Sequence, residues 1–301
     1  MSLPIEPDKN AHRDVRRHLI HRWSSPKTPI DVKTTMPLPE WSKRPCPVIG
    51  MLHAPPLPGS PGYSGDFACV RHSVLRDAEA LVAGGVDGLM LENFGDMPFY
   101  PDRVPAATVA ALSSLGCDLR WRFEVPLGIN ILRNDGRSAL AVAIACGASF
   151  IRVNILCGAR LTDQGLIQGI AHDLLRERSY LRANSIRIWA DVDVKHSAAL
   201  AVRPLGDEVR DLIERCQADA VIVSGTATGQ PVELATLRLV KAAAESTPVL
   251  VGSGVSAETF RLLTPFANGV IVGSSLKHNG LVTNPVEIGR VKRFIEVATR
   301  K

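Results

Sequence analysis

A run of charged residues at Trp189–Ser197 contains the side-chain types needed for proton transfer or for holding an anion. If the segment is a β-strand, its alternation places Asp191, Asp193 and Lys195 on one face and apolar residues on the other. Charges on one face of a core strand are costly unless they pair or act on a ligand. The pattern therefore predicts either catalytic groups or an internal ion-pair network.

The neighbouring carboxylates set the protonation state that we expect for Lys195. An opposite charge nearby raises the pKa of an amine, so Lys195 should be protonated. A protonated amine can donate a proton or hold an anion, whereas a Schiff base requires the neutral form. We therefore predict that Lys195 acts as an acid or an anion-binding cation, with Asp191 or Asp193 moving protons beside it.

Two glycine–serine turns near the end of the chain, at 252–254 and 273–275, each follow a short β-branched run. Small turns that expose backbone N–H groups at the end of a buried strand suit an anion. After the seventh and eighth strands of a (β/α)₈ barrel, such turns form the usual phosphate site of that fold. The predicted phosphate-binding residues are Gly252, Ser253, Gly254, Gly273, Ser274 and Ser275.

Further polar side chains stand where other predicted strands end, which is where barrel enzymes carry their chemistry. Glu92 is a third carboxylate with a predicted catalytic role, and Arg152 either contacts substrate or pairs internally with Glu92 or Asp191. Lys277 and His278 follow the last strand and either neutralise a phosphate or face solvent. The predicted substrate-binding residues are His53, Asn130, Arg152, Asn154, Ser224 and Thr226.

From residue 47 onward, strand patterns alternate with helix patterns. The predicted strands are Pro47–His53, Gly88–Phe94, Pro126–Leu132, Phe150–Cys157, Ile186–Val194, Ala220–Ser224, Pro248–Val251 and Gly269–Val272. The predicted helices are Asp66–Gly84, Val104–Leu115, Arg137–Cys146, Leu161–Arg182, Gly206–Cys216, Val232–Glu245, Ala257–Leu263 and Pro285–Thr299. Nearly continuous apolar strands between amphipathic helices indicate a covered parallel sheet. Repeated this many times, the pattern predicts an α/β fold, a parallel (β/α)₈ TIM barrel over 47–301.

The segment 1–46 is different, because it holds seven prolines and shows little periodicity. We predict a largely irregular N-terminal arm, proline-rich and basic, with one short helix at Asn10–Trp23. The first 44 residues carry nine Lys and Arg against five Asp and Glu, within a net charge of +5 for the chain. The body is therefore nearly neutral, which argues against nucleic-acid binding. The arm is either solvated or contacts an acidic partner.

Composition limits the class of protein further. The chain has 301 residues, 46% of them hydrophobic and 22% charged, enough for one sizeable core. Its six cysteines form no Cys-x-x-Cys pair, and most lie in apolar patterns, which predicts reduced thiols and a cytoplasmic location. No apolar run reaches membrane length and no charged-then-apolar segment opens the sequence, so we expect neither a membrane span nor secretion. We also expect a homo-oligomer.

No zinc, Walker or Rossmann motif is present in the required context. The oxygen ligands of Asp191, Asp193 and Glu92 would suit Mg²⁺ or Mn²⁺, although their spacing does not require a metal. The sequence therefore gives no definite prediction of a cofactor, and a divalent metal, Mg²⁺ or Mn²⁺, stays an open alternative.

One specific resemblance lies in Val48–Pro61, the proline-rich stretch VIGMLHAPPLPGSP, and in the Asp-Val-Asp-Val-Lys-His run at 191–196. Together with shorter matching stretches over 47–299, these residues resemble the BtpA/SgcQ family. That resemblance implies a ribulose-phosphate-binding type of barrel. One branch of the family is associated with photosystem I accumulation in cyanobacteria, and another is similar to products of sugar-uptake gene clusters. Asp193 and Lys195 are also similar to the Asp-x-Lys of orotidine-phosphate decarboxylase-like barrels, but Ala198 stands where those have a further Asp.

Two hypotheses follow. In the first, the protein is an enzyme acting on a small phosphorylated sugar or nucleoside-like compound by isomerisation, aldol cleavage or glycosidic cleavage. In the second, it is a non-catalytic assembly or stability factor for a membrane complex, as in photosystem I biogenesis, with the barrel as a scaffold.

Overall fold

Parallel strands close into a barrel in which each strand pairs with the next barrel strand along the chain, and the last pairs with the first. The computed structural model describes residues 36–225 and 231–300. The eight barrel strands are β1 (Val48–His53), β2 (Gly88–Glu92), β3 (Leu127–Asn130), β4 (Phe150–Val153), β7 (Arg187–Val192), β9 (Ala220–Val223), β10 (Val249–Val251) and β11 (Gly269–Val272). The predicted (β/α)₈ barrel is confirmed.

Helices cover the outside of this barrel. They are α1 (Phe67–Gly84), α2 (Ala106–Arg122), α3 (Gly136–Cys146), α4 (Ala171–Tyr180), α5 (Leu205–Arg210), α6 (Leu234–Ala244), α7 (Ala257–Leu263) and α8 (Ile288–Thr299). Outward strand residues such as Val48 and Leu52 pack with the helices in one large apolar cluster. Over the described ranges, no helix combines the length and the apolar character that a membrane crossing requires. The helix predicted at Asn10–Trp23 lies outside the described residues.

The amino-terminal end of the barrel is filled by aromatic side chains. Phe150 and Trp189 stack inside the barrel with ring centroids 3.6 Å apart. Trp41, from a short 3₁₀ turn at Pro39–Trp41, packs against both rings at 6.4 and 6.0 Å and is buried. A Cβ atom at Gly128 would collide with the Phe150 ring, so this strand position makes room for the stack. The polar residues therefore lie towards the opposite end of the barrel.

A small antiparallel sheet replaces part of a predicted helix. The prediction of a helix over Leu161–Arg182 is wrong at its start, because α4 begins only at Ala171. The preceding residues form β5 (Ala159–Thr162) and β6 (Gly165–Gln168), and β8 (Ser197–Ala199) pairs with β5. Gly165 has a φ of 91°, which permits the tight turn between β5 and β6.

Candidate active site at the carboxyl end of the barrel

Four neighbouring strands present polar side chains at one level of the barrel. The register pairs His53 with Glu92, Glu92 with Asn130, and Asn130 with Arg152. Interior residues two positions earlier, such as Met51 and Met90, belong to the apolar interior cluster. Because side chains alternate along a strand, these four residues face the same interior, one layer nearer the carboxyl end.

One cavity joins this polar layer to the two glycine–serine turns. It brings together ten of the predicted site residues, namely His53, Glu92, Arg152, Lys195, Gly252, Ser253, Gly254, Gly273, Ser274 and Ser275. Apolar side chains that sequence reasoning missed, among them Phe94 and Val282, complete the wall. Asn130, Asn154, Asp191 and Ser224 lie beside the cavity rather than lining it, and Thr226 lies outside the described residues.

The two turns are joined to each other and to the strand before them. Ser275 Oγ donates to the Val255 carbonyl at 2.8 Å, and Ser253 Oγ accepts from the Gly225 N–H at 2.8 Å. The backbone N–H groups of Gly254 and Ser274 donate to no other group among the described residues. Free N–H groups in a small turn are suitable donors to an anion.

Glycine is required at the first position of both turns by close packing. A Cβ atom at Gly252 would lie 2.6 Å from Ile222 Cγ2 and 2.9 Å from Ser224 Oγ. At Gly273 the same atom would lie 2.9 Å from His53 Cε1. The backbone of each turn therefore packs directly against neighbouring side chains, with no room for a side chain at the glycine.

Arg152 is a cation on the wall of this cavity, and Asp191 holds it in place. Arg152 Nε and Nη2 donate to Asp191 Oδ2 and Oδ1 at 3.0 and 2.8 Å. Burial lowers the pKa of Arg152, but the Asp191 carboxylate more than reverses this, so the pKa lies above its usual value. Of the two alternatives for Arg152, the structure shows the internal pair with Asp191 and also places Arg152 on the cavity wall.

The oxygens of Asp191 are fully engaged. Besides Arg152, its carboxylate accepts from Asn154 Nδ2 at 2.8 Å and from Ser224 Oγ at 3.4 Å. Asn130 Nδ2 donates in turn to Asn154 Oδ1 at 3.4 Å, so the two amides belong to the same network. A carboxylate with this many donors is suited to fixing a cation.

Asp193 does not share a face with Asp191, contrary to the expected alternation. Strand β7 ends at Val192, and Asp193 has a φ of 50°, so the period of two stops there. The Asp193 carboxylate instead pairs with Arg160 at 2.7 Å, beside Glu208, which also pairs with Arg160. These three side chains line a second cavity, separate from the turns.

The expected rise in the pKa of Lys195 is not found. Burial lowers the pKa of Lys195, and the positive charge of Arg152 adds to this, outweighing the opposing effects of Glu92 and Asp191. Asp191 cannot compensate because Arg152 neutralises it, and Asp193 points elsewhere. The amine therefore loses its proton more readily than that of an ordinary lysine, which weakens the objection to a Schiff base.

Glu92 and His53 are shifted towards their neutral forms. Burial raises the pKa of Glu92 despite the opposing effects of Arg152 and Lys195. Burial, with the positive charges of Lys277, Lys195 and Arg152, lowers the pKa of His53 to about 3. The 3.9 Å separation of His53 Nε2 and Glu92 Oε1 is therefore not an ion pair, because His53 is uncharged near neutral pH.

This buried histidine predicts a stability that falls in acid. His53 titrates near 6.5 in an unfolded chain but near 3 when folded, so below about pH 6.5 the unfolded state binds the extra proton. His53→Gln should remove this dependence, reducing the slope of unfolding free energy between pH 6 and 4 by up to about 1.4 kcal/mol per pH unit. Urea unfolding at several pH values measures the slope. His278→Gln is the matched control, because the His278 side chain is 60% exposed. Equal slopes in both variants would contradict the assignment.

Two basic residues behave differently from the sequence-based expectation. Lys277 neither faces solvent nor lines the cavity, because it is buried with Nζ 3.5 Å from Asp77 Oδ2. Arg133, which sequence reasoning missed, is buried and donates from Nη2 to the Lys195 carbonyl at 2.7 Å. A polar run begins at Arg133, immediately after the third predicted strand, and this run could have indicated Arg133 as a site residue.

The carboxylates do not fit a divalent metal site. In the part of the chain that the structure describes, no three His, Cys, Asp or Glu side chains are grouped so that they could hold an ion. Arg and Asn donors occupy the oxygens of Asp191, and Arg160 pairs with Asp193. We therefore derive no step that uses a metal.

Fold and site together define a (β/α)₈ barrel with a polar cavity at the carboxyl ends of its strands. Thiamine phosphate pyrophosphorylase from Pyrococcus furiosus is similar in structure, with a TM-score of 0.52, 12% identity, and 85% of this chain and 96% of that chain covered. N-(5′-phosphoribosyl)anthranilate isomerase from the same organism also gives 0.52, at 13% identity, with 84% and 98% covered. At these identities the likeness shows the fold alone.

The BtpA family model matches residues 44–300, and the chain belongs to the BtpA family. It is 48% identical to the photosystem I biogenesis protein BtpA of Synechocystis over 83% of this chain and 87% of that protein. It is 46% identical to an uncharacterized protein of Thermococcus kodakarensis, covering 84% and 95%, and 35% identical to an uncharacterized mitochondrial protein of Caenorhabditis elegans, covering 85% and 93%. The resemblance seen in the sequence is confirmed.

Proposed function

We propose that this protein is an enzyme that binds a small phosphorylated sugar or nucleoside-like metabolite at the carboxyl end of its barrel and transforms it there. One observation carries the proposal: a single cavity holds the two glycine–serine turns, the Arg152 cation and the ionisable pair of Glu92 and Lys195. An anion-binding end next to groups with shifted pKa values is the arrangement expected of an active site.

Each part of the cavity has a role in this proposal. The free N–H groups of Gly254 and Ser274 and the Arg152 guanidinium bind the phosphate. Glu92 and Lys195 move protons at the other end of the substrate, since each has a pKa shifted towards the neutral range. Isomerisation, aldol cleavage and glycosidic cleavage all require such a pair, and the fold by itself selects none of them.

The test compares ligands with and without a phosphate. Ribose 5-phosphate, ribulose 5-phosphate and adenosine monophosphate should raise the melting temperature, while ribose and adenosine should not. Ligand at a hundred times its Kd stabilises the folded state by about 2.7 kcal/mol. If none of the phosphorylated compounds shifts the melting temperature, the proposal fails.

A matched pair of glycine variants locates the site. Gly273→Ala should weaken binding by about tenfold or more, ~1.4 kcal/mol, because the new methyl group displaces the His53 ring from the turn. Gly289→Ala makes the same change in α8, where the nearest atoms are ends of flexible side chains, and should bind as the wild type does. Equal affinity in the two variants would place the phosphate elsewhere.

A second function, in biogenesis of photosystem I, is supported by the name of the Synechocystis relative. A role confined to photosystem assembly does not account for chains of similar length in an archaeon and a nematode. Under this alternative the cavity would bind no phosphorylated metabolite, so the same melting experiment separates the two functions.

A further inference from the structure

Lys277, which is buried, and Lys195, which is half-buried, differ in the partners of their amines. Lys277 lies against α1, where its Nζ pairs with the buried carboxylate of Asp77 at 3.5 Å. Lys195 lines the cavity, and its Nζ makes no hydrogen bond and no ion pair with any described residue. Arg133 fixes the Lys195 backbone instead, through the carbonyl oxygen at 2.7 Å. The Lys195 side chain thus lines the ligand side of the site, and no residue of the described ranges pairs with its amine.

The surroundings of Lys195 favour a nucleophile over a cation. The nearby carboxylate of Asp191 is neutralised by Arg152, and that of Asp193 is held by Arg160. Burial and the adjacent positive charge of Arg152 both disfavour the ammonium form. A lysine that is desolvated beside another cation is the usual form of an activated amine.

We propose that Lys195 forms an imine with the carbonyl carbon of a phosphorylated aldose or ketose whose phosphate lies on the glycine–serine turns. This inference rests on the proposed function and narrows its substrate to compounds that carry both a phosphate and a free carbonyl group. The phosphate-binding turns and the amine line the same cavity, so one small substrate reaches both.

The step balances without any added oxidant or reductant. The Lys195 Nζ lone pair attacks the carbonyl carbon, a C–N bond forms, and a nitrogen proton moves to the oxygen, which gives a carbinolamine. Glu92, which burial keeps protonated to a higher pH than usual, then protonates the departing hydroxyl. Water leaves, a protonated imine remains, and Glu92 becomes a carboxylate. The imine draws electrons from the neighbouring carbon, which allows C–C cleavage or proton removal there.

Borohydride trapping tests the inference, because hydride adds to the imine carbon and leaves a stable secondary amine. The probes are ribose 5-phosphate, fructose 6-phosphate and pyridoxal 5′-phosphate, each followed by peptide mass mapping. We expect the label on Lys195, in at least tenfold excess over the paired Lys277 and the exposed Lys292. Ribitol 5-phosphate, which has no carbonyl group, should leave no label and should protect Lys195 from the other probes.

A charge-preserving variant separates this inference from the proposed function. Lys195→Arg should keep the rise in melting temperature caused by sugar phosphates and lose the trapped adduct. If the wild type shows that rise and no probe labels Lys195 above Lys277, the imine is overturned and phosphate binding stands. If no phosphorylated compound raises the melting temperature and none labels Lys195, both proposals fail.

Discussion

Asp191→Ala should lower the free energy of unfolding by about 3–5 kcal/mol, because it leaves Arg152 as an uncompensated buried cation. The two side chains are only 3% and 0% exposed, so solvent cannot replace the lost carboxylate. The variant also removes the acceptor of the Asn154 side-chain amide, which donates to Asp191. Urea unfolding at neutral pH gives the difference directly.

Two further variants identify the origin of the loss. Asp193→Ala removes a carboxylate two positions away that is 63% exposed, and it should cost no more than about 1 kcal/mol. Combining Asp191→Leu with Arg152→Met removes both charges, and the double variant should be more stable than either single one. If the two single losses simply add in the double variant, the side chains are not coupled and Asp191 does not hold Arg152.

Asp191 and Asp193 show which parts of the site can be predicted from the sequence and which cannot. Apolar alternation predicts the strand and places Asp191 inside the barrel, because that part of the backbone follows the period of two. The positive φ of Asp193 ends the alternation of the strand. The sequence has no glycine at this position, which would have indicated such a backbone conformation. The partners of both carboxylates, Arg152 and Arg160, come from elsewhere in the chain, so neither ion pair could be determined from local pattern.

The cavity shows the same division between local and distant causes. The glycine–serine turns were predicted because their chemistry is local and their order in a barrel fixes where they meet. The lowered pKa of Lys195 was not predicted, because it depends on burial and on which neighbouring carboxylates are already paired. Lys277 was misplaced for a related reason, since its partner Asp77 lies on the distant helix α1.

The hairpin at 159–168 forms where the sequence pattern predicts a helix. Leu161 and Leu166 precede the leucines of α4 and extend an apparent helical pattern backwards. In the structure both leucines are exposed, while the neighbouring Arg160 is buried. Turn chemistry at Gly165 outweighed the helical pattern, because a helix offers no advantage to residues that do not pack on the barrel.

Trp41→Ala should also lower the free energy of unfolding by about 3–5 kcal/mol, as expected when a buried aromatic side chain is removed from a packed core. The indole contacts the stacked rings of Phe150 and Trp189 and donates from Nε1 to the Asp87 carbonyl at 3.0 Å. Its loss leaves a cavity that the stacked rings cannot fill without separating. Urea unfolding again provides the measurement, and phosphate binding at the opposite end should be unchanged once the variant is folded.

Trp121→Ala is the matched control for this prediction, because Trp121 on α2 is 72% exposed and its removal should change stability by about 0.5 kcal/mol or less. Trp41→Phe should recover much of the loss, since an aromatic ring still contacts the stack. The proline-rich composition before residue 47 conceals this role, because a single aromatic residue in an irregular segment carries no periodic signal. Equal stability of Trp41→Ala and Trp121→Ala would mean that the barrel end is closed without the indole and that the segment before β1 is dispensable to the core.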